Sequence, residues 1–257
     1  MLGLYDSGLG GLTVLRALRA AGIDRDVVYF ADQAHLPYGD KTDVQIHGYL
    51  GENLAWLGAQ GVEAIVAACN SSCAAAAGLG WPASAVPVLD LIETAGAAFA
   101  GTSYRRVGVV ATVATVRSGA YARAIRVHAP DTDVIEVAAP ALVPLVERGE
   151  AETPAAGDAV RAAVAALPAD LDALVYGCTH YPLLDRWFAE ALGPQVARID
   201  PALAQAARTQ RLLAQRAPAA GTATTTFYTN GDPVAFERAV RDFTGDSAAQ
   251  VRALVNR

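Results

Sequence analysis

The sequence predicts an α/β protein of two pseudo-symmetric α/β domains, each with a mainly parallel sheet covered by helices and with a shared cleft between them. Three observations predict it. Short apolar runs of strand length alternate along the chain with alanine-rich and leucine-rich stretches of helical length, the order expected of parallel sheets. Phrases of the first half return in the second half in the same order. GLYDSG (Gly3 to Gly8) parallels GVVATV (Gly108 to Val113), VYFADQAHLPYG (Val28 to Gly39) parallels IEVAAPALVPLV (Ile135 to Val146), and VEAIVAACNS (Val62 to Ser71) parallels LDALVYGCTH (Leu171 to His180). A duplicated fold repeats its whole order of elements. Finally, the last pair of phrases ends two strands in cysteines, Cys69 and Cys178, and ligands of open α/β sheets collect beyond the carboxyl ends of strands.

Leu2 to Tyr5 reads as the first strand, with Asp6 and Ser7 at its end. Gly8, Gly10 and Gly11 lead into a helix beginning near Thr13, which Gly22 can stop, and the amides at that helix start are suited to an anion. The dinucleotide pattern G-x-G-x-x-G fails here, because Leu12 and Thr13 follow Gly10 and Gly11, so a Rossmann reading drops out. Val27 to Ala31 is the second strand. The loop from there to Lys41 carries His35, Pro37, Tyr38 and Gly39, a polar and rigid stretch of the kind that lines sites. Thr42 to Gln60 is a helix and Val62 to Ala68 the third strand. After Cys69 comes an alanine-rich helix start, where Asn70, Ser71 and Ser72 are natural capping and anion-contacting residues. Pro87 to Leu91 is the next strand, and Gly96 to Arg106 the crossing between halves.

Val107 to Ala111 opens the second series, with Thr112 and Thr115 at its strand end, and SGAYARAIRV follows as a helix. Val134 to Ala138 is a strand, Ala141 to Arg148 a short helix carrying Glu147, and Ala155 to Ala166 a longer one. The apolar run from Leu171 to Tyr176 then ends in Gly177, Cys178, Thr179 and His180. Asp185 to Leu192 is helical, Val196 to Ile199 a short strand, and Leu203 to Arg216 a helix that returns the chain to the first half. Thr224 to Thr229 is β-rich and ends in Asn230-Gly231-Asp232-Pro233, and Val234 to Phe243 is the terminal helix.

A chain of 257 residues that is 53% hydrophobic and 18% charged has ample material for a core. The net charge of −6, with no basic block, argues against a nucleic-acid footprint or an anionic membrane surface as partner. Three cysteines without secreted-type spacing point to a reducing compartment. The opening MLGLYDSG has no basic leader and no apolar run reaches spanning length, so the cytosol is the expected location.

Four chemistries can use these residues. Two thiols facing one another can take a proton from one face of a carbon acid and return one to the opposite face, provided one is held as thiolate and the other as thiol beside a helper. His180, two residues from Cys178, and Asp6, at the matching strand end of the first half, supply such helpers. Cys69, Cys73, Cys178 and His180 form a nominal Cys₃His zinc set, but no second C-x-x-C knuckle is present. Pyridoxal phosphate needs a Schiff-base lysine, and Lys41, the only lysine, sits between Asp40 and Asp43 in a loop. Acyl transfer by one cysteine with His180 leaves the other cysteine without work. The expectation is therefore no metal and no cofactor.

DSGLGGLTVLRAL, YFADQAHLPYGDKT, ACNSSCAAA, VATVATVRSGAY, VPLVERGE, GCTHYPLL and FYTNGDP resemble, in order and spacing, the cofactor-independent glutamate racemases of the aspartate/glutamate racemase superfamily. The resemblance covers essentially the whole chain. It implies interconversion of L- and D-glutamate, with the D form feeding peptidoglycan. By that resemblance Cys69 acts on the D-enantiomer with Asp6 assisting, and Cys178 acts on the L-enantiomer with His180 assisting and Glu147 nearby. Ser7, Pro37, Tyr38, Gly39, Asn70, Ser71, Thr112, Thr115 and Thr179 match substrate-binding positions. The family fold implies two domains, residues 1–96 with 207–257 and residues 97–206, with the active site between them. A homodimer is a family expectation, and some members bind DNA gyrase, which makes gyrase a further expected partner. Three positions depart from the pattern: Ser71 where threonine is usual, Ala139 for a cysteine, and Thr94 for a proline. Superfamily relatives that act on aspartate or another α-substituted acid are the alternative. Cys73 reads as a small buried hydrophobe, and His35, His47 and His128 as surface positions without a role.

Overall fold

The computed structural model describes residues 1–216 and 223–254. In chain order the first series is β1 (Leu2–Asp6), α1 (Gly11–Ala20), β2 (Val27–Ala31), α2 (Asp43–Ala59), β3 (Ala64–Ala67), α3 (Asn70–Leu79), β4 (Val88–Asp90) and α4 (Leu91–Ala97). The second is β5 (Arg106–Ala111), α5 (Val113–Ser118), α6 (Ala120–His128), β6 (Asp133–Ala138), α7 (Leu142–Glu147), α8 (Pro154–Ala165), β7 (Ala173–Gly177), α9 (Asp185–Leu192), β8 (Ala197–Ile199) and α10 (Pro201–Leu213). β9 (Thr225–Thr229), α11 (Pro233–Thr244) and β10 (Val251–Ala253) close the described chain.

Two sheets result, in the strand orders β10-β9-β2-β1-β3-β4 and β6-β5-β7-β8. Every ladder is parallel. β2-β1-β3-β4 and β6-β5-β7-β8 are the same motif used twice, and the registers agree residue for residue. Gly3 pairs with Val28 and Ile65, while its repeat equivalent Gly108 pairs with Ile135 and Leu174. The two glycines answer the same packing demand. A Cβ on Gly3 would lie 3.2 Å from Ile65, and one on Gly108 3.1 Å from Leu174, so each leaves room for the same aliphatic neighbour.

β1 and β2 are buried at every position, as befits strands with helices on both faces. Local signals set the helix starts. Thr42 and Gln45 form a reciprocal capping box at α2. Asp90 caps α4 by accepting from the Ile92 and Glu93 amides at 2.7 and 3.0 Å, and Asp200 caps α10 by accepting from Ala202 at 2.9 Å. Asp90 is the last residue of β4 and Asp200 directly follows β8, the fourth strand of each series, so the repeat extends beyond the phrases that first reveal it.

The structure differs from the sequence expectation in four places. α4 and α5 were not expected as helices; at seven and six residues they are too short to display a period. β10 adds a three-residue strand after α11, where α11 was expected to be the last element. Asn70, Ser71 and Ser72 do not cap α3: the N-cap is Cys69, without a side-chain cap bond, and the three polar residues lie buried within the first turn. The glycine-rich start of α1 holds no free anion site, as described below. No helix among the described residues is long and apolar enough to cross a membrane.

At the crossing of α4 and α6, a Cβ on Gly96 would meet the Ala124 carbonyl at 2.6 Å, a backbone contact that cannot yield. Gly48, in α2, has nothing within 4 Å of the same position. We expect Gly96→Ala to destabilise by about 1–3 kcal/mol and Gly48→Ala to stabilise by about 0.5–1 kcal/mol, both read from urea unfolding midpoints.

Candidate active site

The carboxyl ends of β1, β3, β5 and β7 converge on one cavity of about 60 Å³. Eleven expected site residues line it: Ser7, Pro37, Tyr38, Gly39, Cys69, Asn70, Ser71, Thr112, Cys178, Thr179 and His180. Asp6, Thr115 and Glu147 stand one layer behind, each bonded to a lining residue. Leu36, Asp40, Val113, Pro140, Val143 and Pro144 complete the wall, which among the described residues contains no lysine or arginine.

On the Cys178 side, the sulfur lies 3.5 Å from His180 Nδ1, and His180 Nε2 lies 2.6 Å from Glu147 Oε1. His180 is only 2% exposed. Burial pulls its pKa down, yet the charge and hydrogen bond of Cys178, joined by those of Glu147, outweigh this and hold the imidazole well above its usual value. The sulfur on one side and the carboxylate on the other favour the charged form of the ring between them.

Cys69, at the end of β3, has no such cation. Burial and the charge of Asp6 push its thiol up to about 12, against weaker lowering by hydrogen bonds from Ser72 and Ser7. Its surroundings favour the thiol. Asp6 itself is fully buried, and its Oδ1 accepts from the Gly8 amide at 2.9 Å while its Oδ2 accepts from Thr179 Oγ1 at 3.1 Å. Burial raises the Asp6 carboxyl, opposed by the charge of His180 and by the Gly8, Gly11 and Thr179 hydrogen bonds. Asp6 therefore acts on Cys69 through charge and on Thr179 through a direct bond.

The glycines of the β1–α1 turn serve these carboxylates. Gly8 N bonds Asp6 and Leu9 N donates to Glu147 Oε1 at 3.2 Å, so the amides expected to bind an anion are taken by the chain's own acids. Side chains are excluded there. A Cβ would come within 2.4 Å of Glu147 Oε1 at Gly8, 2.3 Å of Thr179 Oγ1 at Gly10, and 2.5 Å of Asp6 Cβ at Gly11.

Opposite, Ser71, Thr112 and Thr115 form a hydroxyl cluster, with Ser71 Oγ 2.9 Å from Thr112 Oγ1 and the two threonine hydroxyls 3.0 Å apart. Asn70 Oδ1 accepts from the Tyr121 hydroxyl at 2.5 Å, which leaves the buried Nδ2 without a partner at the cavity. An orphaned amide donor in a cavity wall is a place for an acceptor on a bound molecule. Cys73 turns away, its sulfur 3.6 Å from the Ala67 carbonyl.

Sequence reading missed a second polar hub. Asp32, fully buried at the end of β2, accepts from the hydroxyl of Tyr38, from Asn53 Nδ2 at 3.0 Å and from Asn230, and lies 2.7 Å from His35 Nδ1. His35, expected to be an idle surface position, is tied to this carboxylate and stacks on Tyr49 at 3.7 Å. The hub anchors the Pro37-Tyr38-Gly39 loop over the cavity.

Residues 13–209 match the family described as Asp/Glu/Hydantoin racemase. The chain is 43% identical over 244 residues to the glutamate racemase of Gloeobacter violaceus, covering 93% of this chain and 90% of that protein. It superposes on the crystal structure of glutamate racemase from Thermus thermophilus in complex with β-chloro-D-alanine with a TM-score of 0.85 and 37% identity, covering 98% and 96% of the two chains. The Francisella tularensis enzyme in complex with D-glutamate gives a TM-score of 0.89 at 28% identity, covering 99% and 97%. With its duplicated parallel sheets and paired strand-end cysteines, the chain belongs to the Asp/Glu racemase family, among the cofactor-independent glutamate racemases.

Proposed function

We propose that this enzyme interconverts L- and D-glutamate by two-base proton transfer at the α-carbon, with Cys69 and Cys178 working on opposite faces of the substrate. One observation carries this reading: both cysteines line a single cavity from matched strand ends, but in unlike electrostatic settings. Cys178, its sulfur 3.5 Å from His180 Nδ1, is the base that takes the α-proton of L-glutamate. Cys69, kept as thiol, gives its proton to the other face and releases D-glutamate. The reverse direction exchanges the two roles.

The charge that develops on the substrate carboxylate as the α-proton leaves needs preorganised donors. Asn70 Nδ2 is the unpartnered donor, and the hydroxyls of Ser7, Ser71, Thr112 and Thr179 stand beside it, with Thr115 behind. Glu147 keeps His180 charged, Asp6 biases Cys69 toward the thiol, and the Pro37-Tyr38-Gly39 loop covers the bound acid. D-glutamate held by the Francisella tularensis relative supports glutamate as the substrate. The product then serves peptidoglycan synthesis. The two sheets support a division into residues 1–96 with 207–257 and residues 97–206, the cleft lying between them.

Either Cys69→Ser or Cys178→Ser should abolish racemisation, by a factor of about 10³ or more, followed by circular dichroism of the glutamate pool; an unchanged rate in Cys178→Ser would overturn the two-base reading. Glu147→Gln removes one influence that raises His180, so the imidazolium is lost at lower pH. The basic limb of the L-to-D rate profile should move down by about one pH unit. For Cys69 the linkage runs through alkaline pH. Its folded pKa of about 12 lies above the ordinary thiol value of about 8.5, so the folded chain keeps a proton that the unfolded chain releases, and stability falls as pH rises between the two. Between pH 9 and 10.5 the unaltered chain should lose about 1.4 kcal/mol per pH unit more than Cys69→Ser in urea unfolding.

A further inference from the structure

Asn70, buried at the start of α3 in the first series, has an amide whose two ends are alike in shape and opposite in polarity. With Nδ2 toward the cavity the wall offers a donor; with Oδ1 there it offers a lone pair that repels a carboxylate. The group that settles the choice comes from the second series. Tyr121, in α6, is fully buried, and its hydroxyl donates to Asn70 Oδ1 at 2.5 Å and makes no other hydrogen bond among the described residues. Burial, followed by the neighbouring Cys73 and Asp90, pushes that hydroxyl well above its usual range, so it keeps its proton. A phenol has one proton to give. Were the amide reversed, Nδ2 would donate to the phenol oxygen and the phenol proton would be buried without an acceptor, a costly arrangement. The proton therefore selects Oδ1 and turns Nδ2, which has no partner of its own, to the cavity. The ring is also held. It belongs to the apolar cluster of Leu91, Ile92, Phe99 and Ile125, on a helix packed so closely against α4 that Gly96 admits no Cβ beside the Ala124 backbone. The next amide along α6, that of Ala122, donates to Glu136 Oε1 at 2.8 Å.

We propose that Tyr121 is a positioning residue for substrate binding, holding the Asn70 amide with its donor end toward a carboxylate of the bound acid. This rests on the reading of the cavity as the glutamate site. Tyr121→Phe keeps the ring and removes only the hydroxyl. In the empty cavity of that variant the Asn70 carbonyl is free to turn outward. When the acid binds, Nδ2 must turn to its carboxylate, which leaves Oδ1 buried against a phenyl ring with no donor. That cost arises on binding and is shared by the ground state and the transition state, so it raises KM and leaves kcat nearly unchanged.

A double-mutant cycle tests it. In Tyr121→Phe, KM for each enantiomer and the dissociation constant of racemic glutamate from titration calorimetry should rise about ten-fold, the effect of one orphaned buried acceptor, with kcat changed by less than about three-fold. In Asn70→Ala there is no amide to orient, so adding Tyr121→Phe should leave KM and the dissociation constant within about two-fold of those of Asn70→Ala alone. A hydroxyl that serves only the fold would weaken binding by the same factor in both backgrounds, and that result would overturn the proposal. So would binding and KM in Tyr121→Phe equal to those of the unaltered enzyme. If the unaltered enzyme binds glutamate without racemising it, the two-base reading fails and the calorimetric cycle still decides the role of Tyr121. If it neither binds nor racemises glutamate, the substrate reading and this role fall together.

Discussion

The oxygen Glu147 Oε1 is the point on which the site turns. It lies 2.6 Å from the His180 ring and also accepts the Leu9 amide at 3.2 Å, so one atom of the second half fixes both an imidazole of the cavity wall and the first turn of the first half. Moving it would alter the charge beside Cys178 and loosen the seam between the sheets together. Its position also dictates sequence. Gly8 has to be glycine because a Cβ there would sit 2.4 Å from that oxygen, and Gly10 carries the same restriction from Thr179 and His180. The glycine-rich turn is thus the mould of the carboxylates and imidazole packed against it.

Around this seam the frame is symmetric and the chemistry is not. The sheet orders and registers of the two halves coincide, yet the residues at equivalent strand ends have diverged: Asp6 corresponds to Ala111, Asn70 to Thr179, and Ser71 to His180. One cysteine received an imidazole with a carboxylate behind it; the other received hydroxyls and a carboxylate. The proposed two-base reaction, which takes a proton on one face and gives one on the other, needs this inequality, since two equal thiols would both be protonated at neutral pH.

Most of the fold is legible in the sequence, because parallel strands buried on both faces leave unbroken aliphatic runs and the duplication repeats them in order. The cavity lining is legible for the same reason: ligand groups cluster at strand ends, and strand ends are marked by the change from aliphatic to small polar residues. What escapes reading has a physical cause in each case. α4 and α5 are shorter than two turns, and β10 pairs through only three residues at a sheet edge. Asp32 looks like an ordinary strand-end acid until Asn230, 198 residues away, and Asn53 are folded against it. The β1–α1 turn reads as an anion site because nothing local discloses that Glu147, from another element, already takes the Leu9 amide beside the Gly8 amide held by Asp6.

The pairing of β9 with β2 has a consequence for how the chain acquires this shape. Val27 to Ala31 bond to Thr225 to Thr229, so the larger sheet is completed by residues made after every strand of the smaller sheet, which draws its strands from 106–199. During translation the smaller sheet can close first, while β2 waits with one edge bare. Such an edge invites pairing with other chains, and long-range closures of this kind are slow. The most exposed stage in the life of this molecule is therefore the interval between the emergence of β2 from the ribosome and that of β9.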